Sequence, residues 1–251
     1  MARYFIEVSY KGTRYSGFQV QENAHTIQSE IEKALATICR QSVSLTGSSR
    51  TDAGVHARQN FFHFDHEPEL HPQLSYKLNA LLPRDISVQH IFSMPQEAHS
   101  RFHALSRRYR YYFYTFKNPF QIETAHYFPF KIDFNLLGIS AEIIKDETNF
   151  FAFAKTNSAV KNFTCAIMSS EWKREGPLFY YEVEANRFLR GMVRLLTATQ
   201  LKMARGIITE QEFRNLFREE RKCSYSLPPT GLFLESVNYP DGFFARNVRN
   251  V

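Results

Sequence analysis

The sequence predicts an α+β fold built on an antiparallel sheet, and three observations carry that reading. Apolar residues alternate at strand period in several short runs, and they recur at helical spacing in several others. The two kinds of run mix without the strict strand, helix, strand rhythm of a parallel doubly wound sheet. A chain of 251 residues, 43% of them apolar, supplies a core for one large domain or two packed halves and excludes general disorder.

The run "RYFIEVSY" places Ile6, Val8 and Tyr10 on one side and reads as a strand, and "KGTRYSGFQ" is the glycine-containing loop after it. Thr26 caps a helix whose Ile27, Ile31, Leu35 and Ile38 recur at helical spacing. "SVSLTG" and "RQNFFHFDH" read as two strands, which puts "SSRTDAGVHA" on the loop between them. A loop held by strands is a common place for catalytic groups. "PQLSYKLNALLP" predicts a short helix closed by Pro83, "DISVQHIFSM" a strand, and "LSRRYRYYFYTFK" a long aromatic and basic strand. The character resets after Asn118 and Pro119, so a second half begins around residues 105 to 120. That half holds a helix near "DFNLLGISAEIIK" and two strands, "FTCAIMSSEW" and "LFYYEVEANRF", joined by a turn with Gly176. A helix over "LRGMVRLLTATQLKMARG" follows, with Leu189, Met192, Leu196 and Met203 at helical spacing and Gly206 ending it. Thr209 and Glu212 form a capping box ahead of Phe213 and Phe217, and "GLFLESVNY" is the final strand.

A formal net charge of +6 favours a polyanionic partner, and 15% aromatic content strengthens the case for nucleic acid, because bases stack on flat side chains. Cys39, Cys165 and Cys223 are far apart and in no metal-binding pattern, so neither a disulfide framework nor a cysteine zinc site is expected. The start "MARYFIEVSY" lacks the apolar run of a signal peptide, and no run of about 20 apolar residues could span a bilayer. The expectation is a cytoplasmic protein without a membrane span. His63 with His66, and His99 with His103, come without further ligands at metal spacing, so hydrogen-bonded histidines are expected and no metal. The absence of a phosphate loop and of a dinucleotide fingerprint points to no nucleotide cofactor.

Three groups of residues carry the chemistry. In "SSRTDAGVHA", Arg50 is placed to pair with Asp52 and hold it ionised, while Ala53 and Gly54 leave room for a planar ligand. An ionised, paired acid suits a nucleophile or base. In the basic and aromatic strand, Tyr109 shares a face with Arg107 and Tyr111, opposite Arg108 and Arg110, an arrangement that holds a base and a phosphate together. Arg187, Arg190 and Arg194 recur three to four residues apart, so a helix would present them along one side, with Arg190 and Arg194 amid apolar neighbours.

With these blocks in view, the sequence resembles the TruA family of tRNA pseudouridine synthases. The resemblance runs through "YKGTRYSGFQVQ", "TIQSEIEKAL", "GSSRTDAGVHARQNFFHF", "LNALLPRDISV", "AHSRFHALSRRYRYYFY", "ANRFLRGMVR" and "GLFLESVNYP", most of the chain. By motif position it implies that Asp52 is the catalytic aspartate. It implies further that Tyr109 packs on the target base, that Arg194 pairs with the aspartate, and that Arg50 helps the target nucleotide leave its stack. The reaction it implies is isomerisation of uridine to pseudouridine at positions 38, 39 and 40 of the tRNA anticodon stem-loop, with one aspartate and no cofactor. It also implies a homodimer and two similar α+β halves around a continuous antiparallel sheet, with an active-site cleft between the halves. On that plan residues 1–105 form the half carrying the Asp52 loop, and 106–251 the half carrying the basic strand and the arginine helix. Arg108, Arg110 and Arg190 are further candidates for RNA contact. Three departures stand out: Ser49 replaces a common glycine, "TATQLKMARG" replaces a glycine-containing apolar run after "MVR", and the 155–165 region is short and lacks a basic motif. The alternative reading is a catalytically inactive tRNA-binding protein with the same cleft.

Overall fold

Strand β1 (Ala2–Tyr10) buries Ile6, Val8 and Tyr10 as its alternation predicts, and Phe5 on the opposite face as well. The reason is a return of the chain from its far end: Tyr239, Phe243 and Phe244 set their rings edge-on to Phe5, with centroids 5.8–6.2 Å away. The protein is seen in a computed structural model that describes residues 1–67, 69–156 and 160–244. It divides into two compact units, Met1–Leu105 with the chain from Leu234 onward, and Ser106–Phe233.

In the first unit, β3 (His56–His66) and β4 (Ile86–Met94) flank β1 antiparallel, and β9 (Leu232–Asn238) follows β3, in the order β4-β1-β3-β9. Helix α1 (Ile27–Cys39) is capped by Thr26, which accepts from the Ser29 amide, and it buries Ile27, Ile31, Ala34 and Leu35. Helix α2 (Leu74–Leu81) stops before Pro83. The expected strand over "SVSLTG" shrinks to β2 (Thr46–Gly47). Val43 and Leu45 are buried as their alternation implied. The Leu45 backbone, however, bonds to α1 side chains instead of a strand: its amide donates to Glu32 Oε1 (2.8 Å) and its carbonyl accepts from Gln28 Nε2 (3.0 Å).

In the second unit, β5 (Ser106–Tyr114), β8 (Leu178–Ala185) and β7 (Ile167–Glu175) pair antiparallel in that order. The sheet is not wholly antiparallel as expected, because β6 (His126–Tyr127) runs parallel to the end of β5. The chain between them makes a loop that closes through the Phe128 amide on the Tyr114 carbonyl (2.8 Å), which brings β6 back in the same direction as β5. Helix α3 (Phe134–Asp146) starts at Asp133, whose carboxylate caps Asn135 and Leu136. Helix α4 (Met192–Ala204) is almost wholly buried, and α5 (Glu210–Asn215) begins with the Thr209–Glu212 capping box and buries Phe213. The chain is thus α+β, a mixed sheet flanked by few helices.

Candidate active site

Residues 48–55 form the loop that leads from β2 into β3, and its inward and outward side chains alternate. Ser49 and Thr51 are buried, Arg50 between them is exposed, and Asp52 is half-buried. Thr51 Oγ1 lies 2.8 Å from the hydroxyl of Tyr10, and Asn60 Nδ2 donates both to that hydroxyl (3.2 Å) and to the Ser49 carbonyl (3.0 Å). Burial pushes the Tyr10 phenol up to about 12 against the opposing effect of those two bonds, so it stays a neutral hydrogen-bonding post. On the other side the Thr51 carbonyl accepts from the Phe18 amide (3.0 Å), and the Gly54 amide donates to Tyr15 (3.3 Å). The Asp52 carbonyl closes the turn on the Val55 amide (3.1 Å).

Two glycines of "KGTRYSGFQ" make this approach possible. A Cβ on Gly12 would sit 2.0 Å from the Val55 carbonyl oxygen, and one on Gly17, whose φ is +102°, would meet the Thr51 carbonyl at 3.0 Å. Asp52 therefore stands on backbone gripped from β1, from β3 and from the loop after β1. The expected pairing of Arg50 with Asp52 is not seen among the described residues: the alternation that turns Thr51 inward leaves Arg50 exposed to solvent.

In the second unit Tyr109 lies opposite Val183 on β8, buried, with its ring edge-on to Phe188 at 5.0 Å. Its neighbours Arg108 and Arg110 do not point a bare cationic face at solvent. Arg108 Nη2 donates to Glu184 (2.6 Å) and Arg110 Nε to Glu182 (2.5 Å), both on β8, and Arg110 also lies over the Tyr180 ring at 4.8 Å. Burial raises the Glu182 carboxyl, but hydrogen bonds from Arg110 and Lys173 outweigh it and hold the group below its usual range. The arginine series is corrected too. Gly191, at φ +72°, is the N-cap of α4, so Arg187 and Arg190 precede the helix and only Arg194 lies on it. Arg194 Nε donates to the Leu227 carbonyl (2.6 Å), and the next carbonyl, of Pro228, accepts from the Tyr111 hydroxyl (2.9 Å). The segment "SLPP" thus fixes Arg194. Its prolines marked a loop in the sequence but not its partner.

The histidines serve structure. His63 Nδ1 lies 2.9 Å from Ser100 Oγ, His66 bonds Gln41, and His103 Nδ1 accepts from the His99 amide. Among the described residues no group of three potential ligands could hold a metal ion, and no helix is long and apolar enough to cross a membrane. Of the region lacking a basic motif, residues 157–159 lie outside those described.

A family model described as tRNA pseudouridine synthase matches residues 6–103 and 147–240, which include the Asp52 loop and Arg194 but not the interval with Tyr109. The tRNA pseudouridine synthase A of Parabacteroides distasonis is 40% identical over 248 residues, 97% of this chain and 98% of that protein. Those of Bacteroides thetaiotaomicron and Bacteroides fragilis are 37% and 38% identical, covering 99% and 96% of the chain and 95% and 98% of their own lengths. An α+β scaffold with such relatives defines an isomerase. The family to which the chain belongs is that of the tRNA pseudouridine synthases.

Proposed function

We propose that the protein isomerises uridine to pseudouridine in the anticodon stem-loop of tRNA, at positions 38, 39 and 40, with Asp52 as its single catalytic carboxylate and no cofactor. The observation that carries this reading is the Asp52 loop itself, a half-buried carboxylate on a backbone held by Tyr10, Asn60 and two glycines, within the matched stretch of the family.

In the reaction the bond from C1′ to N1 breaks, the uracil turns, a bond from C1′ to C5 forms, the C5 proton leaves to water and N1 takes up a proton from water. Nothing is oxidised and no energy source is consumed. An ionised carboxylate serves this by attacking the sugar or base, or by taking a ribose proton, while the base is detached. The freed uracil has to be kept from escaping, and Tyr109 is proposed as the aromatic wall that does so. Arg194 is proposed as the partner of the aspartate. Exposed Arg50 is proposed as the group that helps the nucleotide leave its stack, a step that costs a few kcal/mol. Arg108, Arg110 and Arg190 are proposed to meet RNA phosphates. The first two share their guanidinium groups with Glu184 and Glu182. A homodimer acting in the cytoplasm completes the proposal, in keeping with the free thiols of Cys39, Cys165 and Cys223.

The test is tritium release from a tRNA transcript labelled at uracil C5, with wild type and Asp52→Asn side by side. Release by wild type alone, with tRNA binding retained by both, is the expected result. Full release by Asp52→Asn would sink the assignment, and release of free uracil would replace it with a hydrolase. Tight binding without release would leave a catalytically inactive binding protein.

A further inference from the structure

The turn after β4 presents an aromatic ring to water on an unusually firm base. Phe102 is 76% exposed. It sits in the turn 99–103, where the His103 amide donates to the His99 carbonyl (3.1 Å) and the Arg101 amide to His99 Nδ1 (3.1 Å). Fully buried Ser100 anchors the turn from below: its hydroxyl donates to the Thr46 carbonyl (2.9 Å) and its carbonyl accepts from the Tyr239 hydroxyl (2.5 Å). The Phe102 ring lies 4.1 Å from the His99 ring at 34°, so one face is backed by an imidazole. Neither burial nor packing explains a large apolar ring held outward in this way. The turn that carries the ring is bonded through its backbone, and the ring itself rests on His99.

Arg101 and His103 are exposed neighbours in the turn, and Arg3, which donates to the Ala98 carbonyl just before it, is itself paired with Asp65 (2.8 Å). Burial, and then the neighbouring Arg3, His103 and Arg101, hold the His99 imidazole below its usual range. A flat, exposed ring backed by another ring, with an exposed arginine next to it in the turn, is an arrangement on which an unpaired nucleobase stacks while its phosphate is attracted nearby.

We propose that Phe102, backed by His99, is a stacking platform for an unpaired base of the RNA substrate, outside the chemistry of Asp52. The proposal rests on the reading of the protein as a tRNA pseudouridine synthase. Its role is positioning: it holds the RNA in place and touches no reacting atom.

The experiment combines kinetics with a direct optical probe. Phe102→Ala is expected to raise KM for an unmodified tRNA transcript by about tenfold with kcat retained, and Phe102→Tyr to restore it, because a base stacks on either ring. Phe102→Trp adds an exposed indole to a chain whose only tryptophan, Trp172, bonds through its indole nitrogen to Gln200. Titration with the transcript is expected to quench that added fluorescence, and titration with a fully paired RNA duplex to leave it unchanged. An unchanged KM in Phe102→Ala, or fluorescence of Phe102→Trp indifferent to the transcript, overturns the platform. Failure of the wild type to release tritium would overturn the functional reading instead, and the quenching would still report whether RNA stacks there.

Discussion

Ser49 is the one residue of the Asp52 loop whose hydrogen bonding is incomplete: its hydroxyl is buried and, among the described residues, has no partner. A buried hydroxyl without a bond costs about 1–3 kcal/mol relative to an apolar group of the same shape. Ser49→Ala is therefore expected to stabilise the protein by about 1 kcal/mol, read as a rise of roughly 2–4 °C in Tm, with tritium release unchanged. A fall in Tm would show that the hydroxyl has a role. The same loop shows what a sequence reveals about a site. Asp52 was legible because its neighbours are small and turn-forming. The posts that hold it were not, since Tyr10 lies 41 residues from Thr51 and nothing local marks the contact. The pairing of Arg50 with Asp52 was misread because spacing alone does not say which side chains an extended loop turns inward. His63 adds a pH dependence: burial, then the positive charges of His99 and Arg3, lower it to about 4. In the unfolded chain it titrates near 6.5. The unfolded state therefore binds the extra proton first, and stability is full above about pH 6.5 and falls as the pH drops toward 4. Tm measured from pH 7 to pH 4 is expected to fall less in His63→Asn than in wild type, and equal profiles would refute the assignment.

The pairing of β5 with β8 shows how an element can change the meaning of a motif. In sequence, Arg108 and Arg110 read as a cationic face; in the sheet their partners are Glu184 and Glu182, directly across the ladder. The register could not be read from either strand alone, which is why the carboxylates were not assigned. Arg110→Met leaves buried Glu182 with Lys173 as its remaining cation, and it is expected to cost about 2 kcal/mol, the loss of one partner from a buried pair moderated by the other. Arg190→Ala is expected to reduce the slope of log affinity for tRNA against log salt by about 1, one phosphate contact. Thermal melts and salt titrations of the two variants separate these outcomes; a salt slope altered by Arg110→Met alone would reverse the assignment. Element boundaries failed where one residue decides them. Gly191 moved the start of α4 past Arg190, and the α1 side chains that hold Leu45 cut a six-residue strand to two. The caps at Thr26 and Thr209 were legible because their bonds span only three residues.

At the level of the chain, the α+β class and nearly every element followed from hydrophobic period, and the family followed from the blocks around Asp52. The return of the last segment to the first unit had no local signal, since an aromatic tail reads the same wherever it docks. That return has a consequence for synthesis. The second unit, Ser106–Phe233, is one uninterrupted stretch and can close as soon as it has emerged from the ribosome. The first unit, although made earliest, waits with Phe5 and Phe61 uncovered until Tyr239, Phe243 and Phe244 arrive. The usual order of vectorial folding is thereby inverted, and Asp52 stays on an unfinished core until residues 239–244 have been made.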